Sequence, residues 1–91
     1  MIRSFRHKGL AELFAKGQTA MIRSDLKKRC LIRLDVLDNA EDLKEINIPG
    51  YHLHRLNTVP VRYSIWVNGP WRMTFEWRDI DVWFVDLEQY H

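Results

Sequence analysis

Tyr63-Ser64-Ile65-Trp66-Val67, then Asn68-Gly69-Pro70, then Trp71-Arg72-Met73-Thr74-Phe75-Glu76-Trp77: this stretch decides the fold. Two alternating runs meet across Asn-Gly, the strongest short-range hairpin signal, so residues 63–67 and 71–77 read as paired antiparallel strands. After Arg78-Asp79-Ile80-Asp81 comes Val82-Trp83-Phe84-Val85-Asp86-Leu87, whose β-branched and aromatic content predicts a third strand over 82–87. The chain then runs through Glu88-Gln89-Tyr90-His91, with an imidazole beside the terminal carboxylate. Trp66, Trp71, Trp77 and Trp83 all lie on these strands, where tryptophan usually serves as core or sheet cover rather than as a platform for stacking bases.

Upstream, the period changes. Residues 51–56, Tyr51-His52-Leu53-His54-Arg55-Leu56, alternate, so His52 and His54 share one strand face while Leu53 and Arg55 share the other. Residues 57–61, with Pro60, form the loop before the hairpin. Before residue 50 the spacing is helical. Leu10, Leu13 and Phe14 fall at i, i+3 and i+4, predicting a short helix over 9–16 with Gly17 placed to cap it. Ser24 is placed to N-cap a longer helix whose apolar stripe is Leu26, Cys30, Leu31, Leu34 and Leu37, leaving Lys27, Lys28, Arg29 and Arg33 largely off the stripe. That helix ends at 38–40, and residues 41–46 have room for one further turn before Asn47-Ile48-Pro49-Gly50. Residues 1–7 alternate Ile2 and Phe5 with Arg3, Ser4 and Arg6, as a short edge strand whose arginines discourage unwanted pairing. The expected architecture is a single α+β domain over residues 1–91: an N-terminal strand and two helices packed on one face of a mostly antiparallel twisted sheet.

A chain of 91 residues with 46% hydrophobic and 29% charged residues has the composition of one small globular domain, not of a disordered tail. No apolar run approaches the roughly 20 residues that cross a bilayer, and there is no apolar signal core, so no membrane role and a cytoplasmic location are expected. Cys30 has no second cysteine to pair with and reads as a packing residue. The net charge of +2 conceals an asymmetry. Residues 1–33 hold nine Lys or Arg against Glu12 and Asp25, whereas residues 34–50 hold five acids against Lys44. A basic front half suits a polyanion or an acidic protein partner, and it also suits plain solvated helix faces. The four histidines, His7, His52, His54 and His91, show no metal-ligand spacing, and there is no phosphate-cradling glycine loop, so neither metal nor cofactor is expected.

Four pieces of this sequence, in order, resemble one family. Met1-Ile2-Arg3-Ser4-Phe5-Arg6-His7-Lys8-Gly9-Leu10, the step Leu53-His54-x-Leu56, the strand Val67-x-x-x-Trp71-Arg72-x-Thr74-Phe75 and the closing Tyr90-His91 look like the HigB toxins of the RelE-like superfamily. The resemblance implies a small endoribonuclease, the toxin of a type II toxin–antitoxin system, that cuts mRNA on the translating ribosome without a metal and so inhibits translation. It also implies a helix-turn-helix, HigA-like antitoxin as partner, with operator DNA reached only through that antitoxin. The residues it nominates for catalysis are His54, Arg72, Tyr90 and His91. Chemically the set is apt, because attack of a ribose 2′-hydroxyl on the adjacent phosphate needs a base, a cation and an acid. Imidazoles titrate near neutral pH, arginine grips phosphate with parallel donors, and a tyrosine can stack on a base or donate a hydrogen bond. Which histidine is acid and which is base stays open.

Each of these residues also has a structural reading: His54 as a half-exposed sheet residue, Arg72 covering an aromatic surface or pairing with a carboxylate, and Tyr90 and His91 as a chain end; His52 reads as structural. The sequence departs from the family pattern at two places. Asn57-Thr58-Val59-Pro60 stands, one residue shorter, where such toxins carry a Lys-Gly-Asp-Arg type loop, and Gln89 stands where an acidic residue commonly precedes the final Tyr-His. Arg55 and Arg62 are the cations expected to take over the missing phosphate contact, with Lys27 and Lys28 on the longer helix docking to ribosomal RNA. The alternative function is a catalytically weak homologue that acts mainly as an antitoxin-binding module in an autoregulatory complex.

Overall fold

A computed structural model describes residues 1–90; His91 lies outside the described residues. Its elements are α1 (Lys8–Lys16), α2 (Ser24–Asn39), a single 3-10 turn (Leu43–Glu45), and four strands, β1 (His54–Arg55), β2 (Tyr63–Asn68), β3 (Trp71–Arg78) and β4 (Asp81–Gln89). The strands form one antiparallel sheet in the order β1-β2-β3-β4, a meander joined by a longer loop over residues 56–62 and then by two tight turns. Helices on one face of an antiparallel sheet are the α+β arrangement expected from the sequence.

Both helices follow from their spacing. Leu10 and Leu13 of α1 are buried, and Gly17 ends the helix in the left-handed region at φ 75°, donating its N–H to the Leu13 carbonyl at 2.8 Å. The N-terminal cap is His7, whose Nδ1 accepts from the Leu10 N–H at 3.2 Å. Gly9 is needed for close approach, because a Cβ there would lie 2.8 Å from the His7 ring and 2.9 Å from the Met21 Cβ. In α2 the cap differs from expectation. Ser24 is the first helical residue, Arg23 is the N-cap, and no side chain caps that end.

The α2 stripe also differs at two positions. Leu31 is 39% exposed, while Arg33 is only 6% exposed and replaces it on the buried face. The Arg33 guanidinium lies 4.3 Å over the Tyr51 ring, and its Nε donates to the Trp66 carbonyl at 2.7 Å, so a cation is accommodated by an aromatic face and a backbone acceptor. Cys30 is fully buried beside it, and burial pushes its thiol pKa up to about 11, against a smaller opposing pull from Arg33. The thiolate is the reactive form, so Cys30 should react with a disulfide reagent at neutral pH at least ~100-fold more slowly in the folded protein than in guanidinium chloride. Equal rates in a colorimetric thiol assay would show that the α2 stripe is not packed as described.

The sheet is close to its sequence reading at the hairpin and departs from it at both ends. Asn68 still pairs with Trp71, so the loop is only Gly69-Pro70, with Gly69 at φ 53°, and a bulge between Trp66 and Asn68 absorbs the turn. The third strand extends to 81–89, and it carries its own bulge between the Thr74–Asp86 and Glu76–Trp83 pairs, where Phe84 has φ 51°. The strand expected over 51–56 shrinks to His54–Arg55, because Tyr51 is buried and His52 turns the backbone at φ 52°. The strand expected over 1–7 is instead two isolated parallel bridges, Ile2 to Val82 and Phe5 to Val85, along the free edge of β4. Backbone bonds from Arg3 to the Val82 carbonyl at 2.7 Å and from Arg6 to the Val85 carbonyl at 2.8 Å cover that edge.

Alternation sorts the sheet into two faces. Ile65, Val67, Met73, Phe75, Val85 and Leu87 are buried and face the helices, with Trp71 and Trp77 packed against that core. Completely buried side chains of this kind each contribute about 1.5–3 kcal/mol relative to exposure. The other face carries Ser64, Trp66, Arg72, Thr74, Asp86 and Glu88. No helix is long and apolar enough to cross a membrane among the described residues.

Candidate active site

On that second face the register sets three side chains in a row across three strands: Trp66 of β2 pairs with Arg72 of β3, which pairs with Glu88 of β4. One pair further along, His54 of β1 faces Ser64 of β2. A cavity of about 570 Å³ opens over this row, lined by His52, Leu53, His54, Ser64, Trp66, Arg72 and Tyr90. Three of the four nominated catalytic residues therefore share one cavity, although they come from β1, β3 and the segment after β4. The fourth, His91, lies outside the described residues.

Arg72 is held from one side only. Its Nη1 donates to the Gly69 carbonyl at 3.2 Å and the Trp71 carbonyl at 3.3 Å, both at the hairpin end, while Nε and Nη2 have no partner among the described residues. Two parallel donors are thus left for a phosphate. Tyr90 is brought alongside by its backbone N–H, which donates to the Pro70 carbonyl at 2.8 Å. Burial raises its phenol pKa and the Glu88 carboxylate raises it further, against smaller opposing pulls from Arg62 and Arg72. At neutral pH the phenol therefore keeps its proton and can donate.

Gln89 stands at the position where the family carries an acid, but the carboxylate that reaches this face is Glu88, one position earlier. Gln89 pairs with Trp71 and by alternation faces away, whereas Glu88 stands beside Arg72. The Thr74 hydroxyl donates to the Glu88 Oε2 at 2.5 Å, and Arg62 Nη2 donates to Thr74 Oγ1 at 3.0 Å. Arg62, expected at the RNA surface, is instead only 6% exposed. It also donates to the Phe84 carbonyl at 2.8 Å, freed by the β4 bulge, and to Glu76 Oε2 at 3.5 Å. Burial foremost lowers its pKa from the ordinary arginine value. A cation committed in this way lies beneath the sheet face and does not line the cavity.

The remaining basic residues lie elsewhere. Arg55 is exposed and borders a separate depression with Leu56, Asn57, Thr58 and Val61, on the strand face opposite His54. Lys28 is exposed on α2, and the half-buried Lys27 borders a shallow depression with Glu12, Lys16 and Gln18. Neither lysine lines the cavity. The α2 cation that does approach it is Arg29, with its guanidinium 5.7 Å over the Trp66 ring. Sequence reasoning passed over Arg29 and Ser64 as site residues and read Trp66 as sheet cover; alternation from Arg72 through the hairpin register would have put Trp66 and Ser64 on its face. No three His, Cys, Asp or Glu residues are grouped to hold a metal ion among the described residues.

A small α+β domain whose open sheet face brings together His54, Arg72 and Tyr90 from distant parts of the chain is consistent with the RelE-like fold. The chain belongs to the HigB toxins: the model of the family "RelE-like toxin of type II toxin-antitoxin system HigB" matches residues 3–91. It is also similar to the endoribonuclease HigB of Proteus vulgaris, with 39% identity over 92 residues that cover the whole of both chains.

Proposed function

We propose that this chain is an endoribonuclease that inhibits translation by cutting mRNA on the ribosome, without a metal, and that a HigA-like helix-turn-helix antitoxin restrains it. The observation that carries this reading is the convergence of His54, Arg72 and Tyr90 on one cavity. One imidazole, of His54 or of His91, takes the proton of the ribose 2′-hydroxyl as that oxygen attacks phosphorus. The non-bridging oxygens gain charge, which the unpartnered donors of Arg72 stabilise. The P–O5′ bond breaks, the second imidazole protonates the leaving oxygen, and the products are a 2′,3′-cyclic phosphate and a 5′-hydroxyl. Tyr90, in its neutral form, orients the substrate by stacking or by donating to the phosphate. Arg55, Lys27 and Lys28 make salt-sensitive contacts with ribosomal RNA, and the site of action is the cytoplasm. Both helices contribute their apolar faces to the core and make no recognition pair, so operator DNA is reached through the antitoxin.

Inducing the chain alone in growing cells should arrest translation and create new mRNA 5′-hydroxyl ends, and cleavage of ribosome-bound mRNA in vitro should persist in EDTA concentrations that leave ribosomes intact. The absence of both arrest and new ends would favour the antitoxin-binding module instead, as would a tight antitoxin complex from a chain that cuts nothing.

A further inference from the structure

We propose that Trp66, backed by Arg29 and flanked by His52, is a nucleobase-stacking subsite that selects which base lies next to the cut. This rests on the RNA-cleaving reading above and adds a determinant of sequence preference to it.

Trp66 differs from the other three tryptophans in its surroundings. Trp71 and Trp77 pack against the core, and Trp83 lies under the Arg78 guanidinium at 5.1 Å. Among the four, Trp66 alone lines the cavity. Its strand partner is Arg72, and directly opposed side chains have Cβ atoms about 4.5–5.5 Å apart. A phosphate on the guanidinium therefore brings the base of the same or the next nucleotide to the indole.

The ring is also held in advance. Its Nε1–H donates to the Gly69 carbonyl at 2.9 Å, Arg29 sits 5.7 Å over the ring, and the His52 imidazole meets it at 5.9 Å and 80°. An aromatic side chain fixed on three sides gives up little rotamer freedom when a base stacks on it. His52 adds a second indication. It holds φ 52°, a conformation uncommon for residues with a side chain, yet its side chain is exposed at the cavity and not part of the core. Its ring nitrogens give one donor and one acceptor for the edge of a stacked base. Stacking favours the larger π surface, so the selected base is a purine.

The test compares mRNA 5′ ends in cells expressing the wild-type chain, Trp66→Phe and Trp66→Leu, each at equal folded abundance checked by thermal melting. Base–aromatic stacking is worth about 1–3 kcal/mol, or roughly 5- to 150-fold. Trp66→Leu should lower cutting by that order and flatten a purine enrichment at one position flanking the cut. Trp66→Phe should keep both within about threefold, because it retains a π face. If Leu matches Phe in rate and in base distribution, the indole is only a hydrophobic cover and the inference is wrong. A flat base distribution around the wild-type cuts overturns it as well. Absence of any wild-type cut removes the RNA-cleaving reading, and this subsite with it.

Discussion

Arg72→Ala is expected to reduce mRNA cleavage by about 10²–10³-fold, the usual cost of deleting one donor group aimed at charge that develops in the transition state. Growth of cells induced for the variant alone should recover accordingly. The fold should not be the reason. Arg72 is half-buried and, among the described residues, bonds only to the Gly69 and Trp71 carbonyls at the hairpin end, so its removal should cost about 1 kcal/mol. For a domain of this size that shifts the melting temperature by roughly 4–8 °C. Arg72→Lys keeps the charge but loses the planar fork of donors, and should recover no more than about a tenth of wild-type cutting. If Arg72→Ala arrests growth as strongly as the wild-type chain, the phosphate is held by some other group.

The hairpin that frames Arg72 was legible because its signals are local: alternation on both sides, and a glycine at Gly69 where the turn takes positive φ. Gly17 was legible for the same reason. The buried arginines were not. Arg33 lies three residues after Cys30 and seven after Leu26, so spacing alone puts it on the α2 stripe, yet its charge argued for solvent. What resolves the conflict is the Tyr51 ring and the Trp66 carbonyl, 18 and 33 positions away in the sequence. Arg62 is hidden by the same kind of distance, since Thr74, Glu76 and Phe84 reach it only once β2, β3 and β4 are paired. The candidate site divides likewise. The resemblance named His54, Arg72 and Tyr90, but the exchange of Gln89 for Glu88 depends on strand parity near a bulge, and His52 depends on a backbone turn inside an otherwise alternating run.

That buried network under the site yields the second large effect. Glu76→Leu should destabilise the protein by about 3–5 kcal/mol, because it leaves the Arg62 guanidinium inside without the carboxylate in contact with it. The melting temperature should then fall by more than about 10 °C. Arg62→Met should cost less. Glu76 would still be bridged by Arg78, whose Nη2 and Nε donate to Oε1 at 2.7 and 3.2 Å from a half-exposed position, so no carboxylate is orphaned. The double variant Arg62→Met, Glu76→Leu should be more stable than Glu76→Leu alone, since the stranded cation goes with its partner. Urea melts of the four proteins give the coupling directly. Additive losses, or a Glu76→Leu protein as stable as wild type, would mean that water reaches Arg62 and screens it. Cutting by Arg62→Met, measured well below its melting temperature, separates support from stability: Arg62 holds Thr74, and Thr74 holds Glu88 beside Arg72 and Tyr90. A folded Arg62→Met that cuts at the wild-type rate would show that Glu88 keeps its place without the arginine beneath it.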